Sequence, residues 1–242
     1  MGLTGLRSWS VGANVQRLVT IGIELTNDTT HDDEKRLAAE SAAGLVENGM
    51  RVGLGTGSTV GYFLPALARR ELDLICVATS VQTVDAATQL GFSVEPFDSL
   101  DRLHIAVDGA DQIAANGWLV KGGGAAHTRE KVVAAAADRF VVIATADKCV
   151  DRLEPPVPLE LLAFGVAATL RRLGGVERRG VDRSPDGNII ADYIGPIDDP
   201  EELACRLDAT PGVVEHGLFA PALVSDVLIG RGTRVEHRSG RA

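Results

Sequence analysis

The sequence predicts an α/β protein: a mostly parallel sheet covered by helices on both faces, with a smaller α+β unit of ferredoxin-like type set into it. Three observations predict it. Short unbroken apolar runs alternate with helical segments through residues 31–145. A proline cluster, Glu154-Pro155-Pro156-Val157-Pro158, then interrupts the alternation as a linker or domain edge would. Beyond it come paired strands with two helices, and a final apolar run at 225–229 suited to rejoin the first sheet.

Each element has its own signal. The polar stretch Asn27-Asp28-Thr29-Thr30-His31-Asp32-Asp33 offers N-caps for a helix running to about residue 47, with Leu37, Ala38, Ala42, Leu45 and Val46 at helical spacing. Asn48-Gly49 ends it. Residues 51–54 read as a strand entering Gly55-Thr56-Gly57-Ser58-Thr59, with a helix over 60–70. A strand at 74–78, a helix at 80–90 stopped by Gly91, and strands at 92–97 and 103–107 follow. Residues 118–120 form a short strand before a glycine run, 125–138 a helix, and 140–144 an unbroken apolar strand. Continuous apolar strands are those of a parallel sheet buried on both faces.

After the prolines we expect a helix at 161–173, a strand at 176–179, a turn at Pro185-Asp186-Gly187-Asn188, a strand at 189–194, a helix at 200–207 and a strand at 213–219. The larger unit is expected to comprise 31–155 with 219–242, and the smaller one 156–218. Residues 1–30 read as a flexible extension. They carry Arg7 and Arg17, no acid before Glu24, and an apolar run at 18–23 too short for a secretory core. Their composition weakly resembles a targeting peptide.

Composition excludes several classes of function. In 242 residues the net charge is -9, which argues against broad electrostatic binding to nucleic acid. No run approaches the roughly 20 apolar residues of a membrane span. Cys76, Cys149 and Cys205 are far apart and odd in number, with no CxxC pairing, so we expect buried or incidental thiols of a reducing, cytoplasmic compartment.

Three segments carry the chemistry. Gly55-Thr56-Gly57-Ser58-Thr59, between a strand and a helix, suits a phosphate monoester, because glycines let the backbone approach and the helix N-terminus offers N–H groups. It fits equally well an ordinary tight turn. No lysine follows its last glycine, so it is not a Walker loop. Asp108 and Asp111, in Asp108-Gly109-Ala110-Asp111, close a strand at the end that faces the ligand crevice of α/β sheets. They either move a hydroxyl proton or simply hold the turn. Lys121-Gly122-Gly123-Gly124 supplies a cation before a costly triple glycine, and Glu130 stands early in the next helix as a carboxylate base. Glu130 and Lys131 could instead belong to a solvated helix face. His127, alone in its motif, reads as packing or capping. Lys148 follows another strand end and either reaches the same crevice or decorates the surface. Together these groups suit proton transfer beside a carbonyl without a metal.

In order and spacing these segments resemble the type A ribose-5-phosphate isomerase family, from about residue 33 to about residue 235. Thr128-Arg129-Glu130-Lys131, Pro211-Gly212-Val213-Val214 and Gly217-Leu218-Phe219 also fit. The resemblance implies a Rossmann-like domain with an inserted α+β domain, and a homodimer or homotetramer. It implies aldose–ketose isomerisation of D-ribose 5-phosphate and D-ribulose 5-phosphate through an enediol, in the non-oxidative pentose phosphate pathway, with no metal or organic cofactor. Carried over by motif, Glu130 moves the proton between C1 and C2, Asp108 shuttles hydroxyl protons, Asp111 assists ring opening and Lys121 stabilises negative charge. Thr56, Gly57, Ser58, Thr59, Gly109, Ala110, Gly122, Gly123, Gly124 and Lys148 would hold substrate, and Lys35 corresponds to a lysine of the first helix. The sequence departs from the pattern at Gln112, where an acid is usual, at Ala78-Thr79-Ser80-Val81-Gln82-Thr83, where the family is serine-rich, and in the proline linker.

Two other readings remain on the same fold. One is a sugar-phosphate sensor without catalysis, against which stand the retained Glu130, Asp108, Asp111 and Lys121. The other is an amino-sugar-phosphate deaminase or acyl-CoA transferase.

Overall fold

The structure, a computed structural model, describes residues 28–180 and 183–240. Helix α1 (Asp28–Ala43) precedes β1 (Arg51–Leu54), α2 (Ser58–Ala68), β2 (Ile75–Ala78), α3 (Val81–Gln89) and β3 (Ser93–Val94). Then come β4 (Ile105–Asp108), β5 (Gln112–Ala114), β6 (Leu119–Val120), α4 (His127–Ala135), β7 (Phe140–Thr145) and β8 (Cys149–Val150). The remainder is β9 (Val157–Leu161), α5 (Val166–Leu173), β10 (Val176–Arg178), β11 (Ile189–Tyr193), α6 (Pro200–Asp208), β12 (Val213–His216), β13 (Leu218–Phe219), β14 (Asp226–Arg231) and β15 (Arg234–Ser239).

The main sheet has seven strands in the order β15-β14-β7-β4-β1-β2-β3. All its pairs are parallel except β14 with β15. The chain winds outward from β1 through β2 and β3, then crosses back to β4 on the other side. The β1–β4 junction is therefore a topological switch point, where the loops after the two strands diverge and leave a crevice. Strand β7 is buried along its whole length, as the apolar runs predict. One face packs Phe63, Leu67, Ile105 and Ile143 with α1 and α2. The other packs Leu103, Phe140, Val142 and Phe219 with α4.

A second sheet, β10-β11-β9-β12, is antiparallel throughout. With α5 and α6 it makes a β-α-β-β-α-β unit in ferredoxin-like order, around Leu159, Leu161, Leu173, Ala191 and Leu207. A third small sheet, β13-β6-β5-β8, lies where the chain passes between the other two.

Several local expectations are corrected. The proline cluster is a linker only in its first part, because β9 begins at Val157 and Pro158 lies within it. Proline is tolerated there because, although Pro158 stands opposite Asp192 of β11, β12 has already ended at His216 on its other side, where only the proline carbonyl is used, accepting from Gly217 N at 2.7 Å. Leu161 completes β9, so the following helix starts at Val166, after Gly165 with φ +70°. The strand expected at 213–219 breaks at Gly217, where the chain changes sheets; a Cβ there would strike the Lys121 carbonyl. The first helix ends at Ala43. Only Ser93–Val94 of 92–97 pairs as a strand, and a 3-10 turn at Phe97–Ser99 follows Pro96. The fourth helix is shorter at both ends than 125–138, and Ala125 before it takes φ +61°. Strand β15 was not foreseen, since Arg234-Val235-Glu236-His237-Arg238-Ser239 has almost no apolar pattern. The extension reading for 1–27 lies outside the described residues, while Asp28–Thr30 belong to α1.

All three cysteines are free. Burial pushes the Cys76 thiol up to about 12, an inert position. No described helix is long and apolar enough to cross a membrane.

Candidate active site

Three strand ends and one loop meet at the switch point. Thr56, Gly57, Ser58, Thr59, Gly109, Ala110, Asp111, Lys121, Gly122, Gly123, Gly124, Glu130 and Lys148 line one pocket of about 150 Å³. That is below the roughly 300–1,000 Å³ of pockets for drug-sized ligands, so its ligand is small. Asp108 lies beneath the floor, paired to Lys121. Lys35 is not among the lining residues; its ammonium is 3.6 Å from Asp32 on its own helix.

The floor is a chain of three ionisable groups. Lys121 Nζ lies 2.9 Å from Asp108 Oδ2 and 3.1 Å from Glu130 Oε2, all nearly inaccessible to water. It also donates to Gly109 O at 2.5 Å. Asp108 is set from the other side, where its Oδ1 accepts from Thr56 N at 3.0 Å and Gly109 N at 2.7 Å. Two carboxylates thus share one ammonium out of water. Burial pushes Glu130 up to about 7, helped by the charge of Asp108 and opposed by Lys121. Burial also raises Asp108, against Lys121 and its two backbone donors. Lys121 is depressed by burial, but both carboxylates more than reverse this and hold it protonated. A carboxyl near 7 is suited to taking and returning protons at neutral pH.

The opposite wall is suited to an anion. Gly57, φ +123°, precedes α2, and no side chain caps that helix end. Its first N–H groups are therefore available for an anion, aided by the helix dipole. The Ser58 and Thr59 side chains and Lys148 border the same space. Lys148 is paired to Asp147 at 3.3 Å, and Asp147 also contacts His31 of α1 at 3.1 Å.

Thr56 lines the pocket and also supports Asp108. Its hydroxyl bonds Thr79 Oγ1 at 2.7 Å, and it is its N–H that orients Asp108. Thr83 donates to Gly55 O at 2.9 Å. Thr79 and Thr83, which stand in the segment that departs from the serine-rich pattern, therefore form a buried hydroxyl layer under the first loop. Asp111 is exposed, and its Oδ2 accepts from Gly123 N at 2.8 Å, tying the aspartate turn to the glycine loop.

Gly217 and Arg179 were missed. Gly217 O accepts from Lys121 N at 2.9 Å. Arg179 donates to Gly122 O at 3.0 Å. Both touch pocket-lining residues from segments remote in sequence; Gly217 stands in the Gly217-Leu218-Phe219 segment noted above for its resemblance only, and no local motif marks Arg179.

His127 is fully buried and held near 3 by burial and the positive charge of Lys131, so it is neutral packing beneath Gly122. A possible ligand cluster, Asp208, Glu215 and His216, has geometry that could hold a metal ion. Lys131 Nζ, however, lies 2.5 Å from Glu215 and 2.7 Å from the His216 carbonyl, and supplies the positive charge there.

A doubly wound sheet with a buried Glu–Lys–Asp chain facing a helix N-terminus defines an enzyme that moves protons on a small anionic substrate. Comparison with known proteins makes this particular. Residues 75–234 match the family model of ribose 5-phosphate isomerase A (phosphoriboisomerase A). The ribose-5-phosphate isomerase A of Methanosarcina acetivorans is 44% identical over 219 residues, covering 84% of this chain and 93% of that protein. The Gluconobacter oxydans protein of the same name is 43% identical, covering 84% and 95%. Among solved structures, ribose 5-phosphate isomerase A from Neisseria gonorrhoeae superposes with TM-score 0.83 at 32% identity, covering 88% of this chain and 99% of that one. A D-ribose-5-phosphate isomerase in complex with phospho-erythronic acid superposes with TM-score 0.79 at 35% identity, covering 85% and 97%. The chain belongs to the ribose 5-phosphate isomerase A family, and so to the isomerases.

Proposed function

We propose that the protein interconverts D-ribose 5-phosphate and D-ribulose 5-phosphate through an enediol, as a step of the non-oxidative pentose phosphate pathway. The observation that carries this is the buried Lys121 held between Asp108 and Glu130 on the floor of a small pocket. The phosphate sits at the N-terminus of α2 and against Lys148, and its binding energy orients the reacting carbons. Asp111 assists opening of the sugar ring.

In the open aldose, the Glu130 carboxylate removes the proton from C2. Electron density moves to O1, and O1 takes a proton to complete the enediol. Asp108 moves protons between the hydroxyl oxygens. O2 then loses its proton, and protonated Glu130 returns a proton to C1, giving the ketose. One carboxyl serves both carbons, so no second base is needed. Lys121 and the glycine-loop N–H groups stabilise the developing oxyanion in a site with little water.

We read the protein as a cytoplasmic homodimer or homotetramer, with a catalytic unit of 31–155 and 219–242 and a smaller unit of 156–218. The family resemblance supports this reading, and light scattering on the purified chain tests its assembly.

The primary test is a direct ultraviolet assay with D-ribose 5-phosphate, with and without a chelator. Chelator-insensitive ribulose 5-phosphate formation is expected. Glu130→Gln should lower kcat by about 10²–10⁴, the usual worth of a general base. Near-normal turnover in that variant would refute the mechanism.

A further inference from the structure

Arg179 follows the edge strand β10 of the ferredoxin-like sheet. Both Asp192 oxygens, on neighbouring β11, grip its Nε and Nη2 at 2.6 Å each. Each of the two side chains is only 17% exposed. A fork-to-carboxylate pair fixes the plane of the guanidinium. The small sheet therefore sets where the remaining nitrogen points. That nitrogen, Nη1, donates to Gly122 O at 3.0 Å and Gly123 O at 3.2 Å.

In a trans peptide the C=O and N–H point in opposite directions. The 122–123 peptide accordingly spans from Arg179 on one side to Asp111 on the other, where Gly123 N donates at 2.8 Å. The 123–124 peptide is held by the same guanidinium, so its N–H, that of Gly124, is directed away from Arg179. Gly124 lines the pocket, and its N–H has no hydrogen-bond partner among the described residues. A cation on both carbonyls also polarises the two peptides and strengthens their N–H groups as donors. Three consecutive glycines would otherwise sample many backbone conformations.

We propose that Arg179, anchored by Asp192, is a positioning residue for the isomerisation. It works through the Gly122–Gly123 carbonyls, aiming the Gly124 N–H at the anionic sugar phosphate and keeping Asp111 in register with the pocket. The ferredoxin-like unit thereby completes a site whose ionisable groups all lie outside that unit. The inference rests on the isomerase reading. Removing Arg179 strands neither loop carbonyl: Gly122 O also accepts from Ala125 N at 3.0 Å, and Gly123 is open to water.

The test compares wild type, Arg179→Ala, Arg179→Lys and Asp192→Asn by steady-state kinetics on D-ribose 5-phosphate across pH, by thermal unfolding, and by amide hydrogen exchange of the 121–126 segment. In Arg179→Ala we expect kcat to fall at least tenfold, loop exchange to quicken at least tenfold, and the kinetic pH midpoint to stay in place, since the neighbours of Glu130 are intact. Arg179→Lys should recover little, because one ammonium cannot both fork to Asp192 and span two carbonyls. Asp192→Asn should show a smaller loss of the same kind. Millimolar methylguanidinium should restore part of the Arg179→Ala rate. Unchanged kcat, unchanged loop exchange, or full recovery by lysine would each overturn the proposal. An inactive wild type would sink the isomerase reading by itself, and loop exchange in Arg179→Ala would still decide whether the brace exists.

Discussion

Lys121 and Glu130 meet at 3.1 Å with both side chains almost wholly withdrawn from water, and Lys121 is already neutralised by Asp108 at 2.9 Å. Glu130 is thus the second carboxylate on a single ammonium. Burial, helped by that surplus of negative charge, raises Glu130 toward neutrality.

The first consequence is a pH profile. Burial and Asp108 raise Glu130 to about 7, and the proposed reaction needs the carboxylate. kcat/KM should therefore rise with pH through an apparent midpoint near that value, which belongs to the coupled pair with Asp108. A rate flat from pH 5.5 to 8.5 would contradict this.

The same group should cost stability. A carboxyl whose folded pKa is raised stabilises the fold below its ordinary value of 4.5, and this contribution is lost as pH rises through about 7. Glu130→Gln, which stays neutral throughout, should consequently unfold at a higher temperature than wild type at pH 8. The gain should be several degrees, at about 2–4 °C per kcal/mol for a chain of this size. At pH 4.5 the gain should shrink or vanish. Thermal unfolding at the two pH values measures it.

Gly55 supports Asp108 by absence. A Cβ at this position would land on the Asp108 carboxylate. Gly55→Ala should displace Asp108 from Thr56 N and Gly109 N, lower kcat at least tenfold and reduce stability by about 1–3 kcal/mol, as overpacking does. Gly61→Ala on α2, where a Cβ meets open space, is the matched control and should be nearly silent.

At the other end of the pocket, Lys148 is half exposed and, among the described residues, is charge-paired to Asp147. In the proposed function its contribution is to phosphate affinity. Lys148→Ala should raise KM for D-ribose 5-phosphate about tenfold, with less than a threefold change in kcat. An equal fall in kcat would instead place Lys148 on the reacting atoms.

Much of this molecule was legible before any coordinates. Strands with two buried faces leave apolar runs, as at Phe140–Thr145, and a doubly wound order follows from their alternation with helices. The pocket was legible because its groups sit in short dense motifs at strand ends, and parallel strands bring such ends to one edge. Where the local signal was weak, strands went unread. Strand β15 pairs through its backbone with almost no apolar side chains, and β9 starts inside a proline cluster because the neighbouring strand stops beside Pro158. Lys35, aligned by its helix, does not line the pocket.

The sequence by itself determined the alternation of elements, the acids, the lysine and the glycine loop. Only the tertiary structure decided that Lys121 is shared by two carboxylates, that the Thr56 N–H rather than its hydroxyl orients Asp108, and that Arg179 grips the glycine loop from the second sheet. The reason is physical. Residue type and spacing specify local backbone form and which groups are available. The charge state of those groups depends on burial and on neighbours contributed by segments far along the chain, which become close only when both sheets pack.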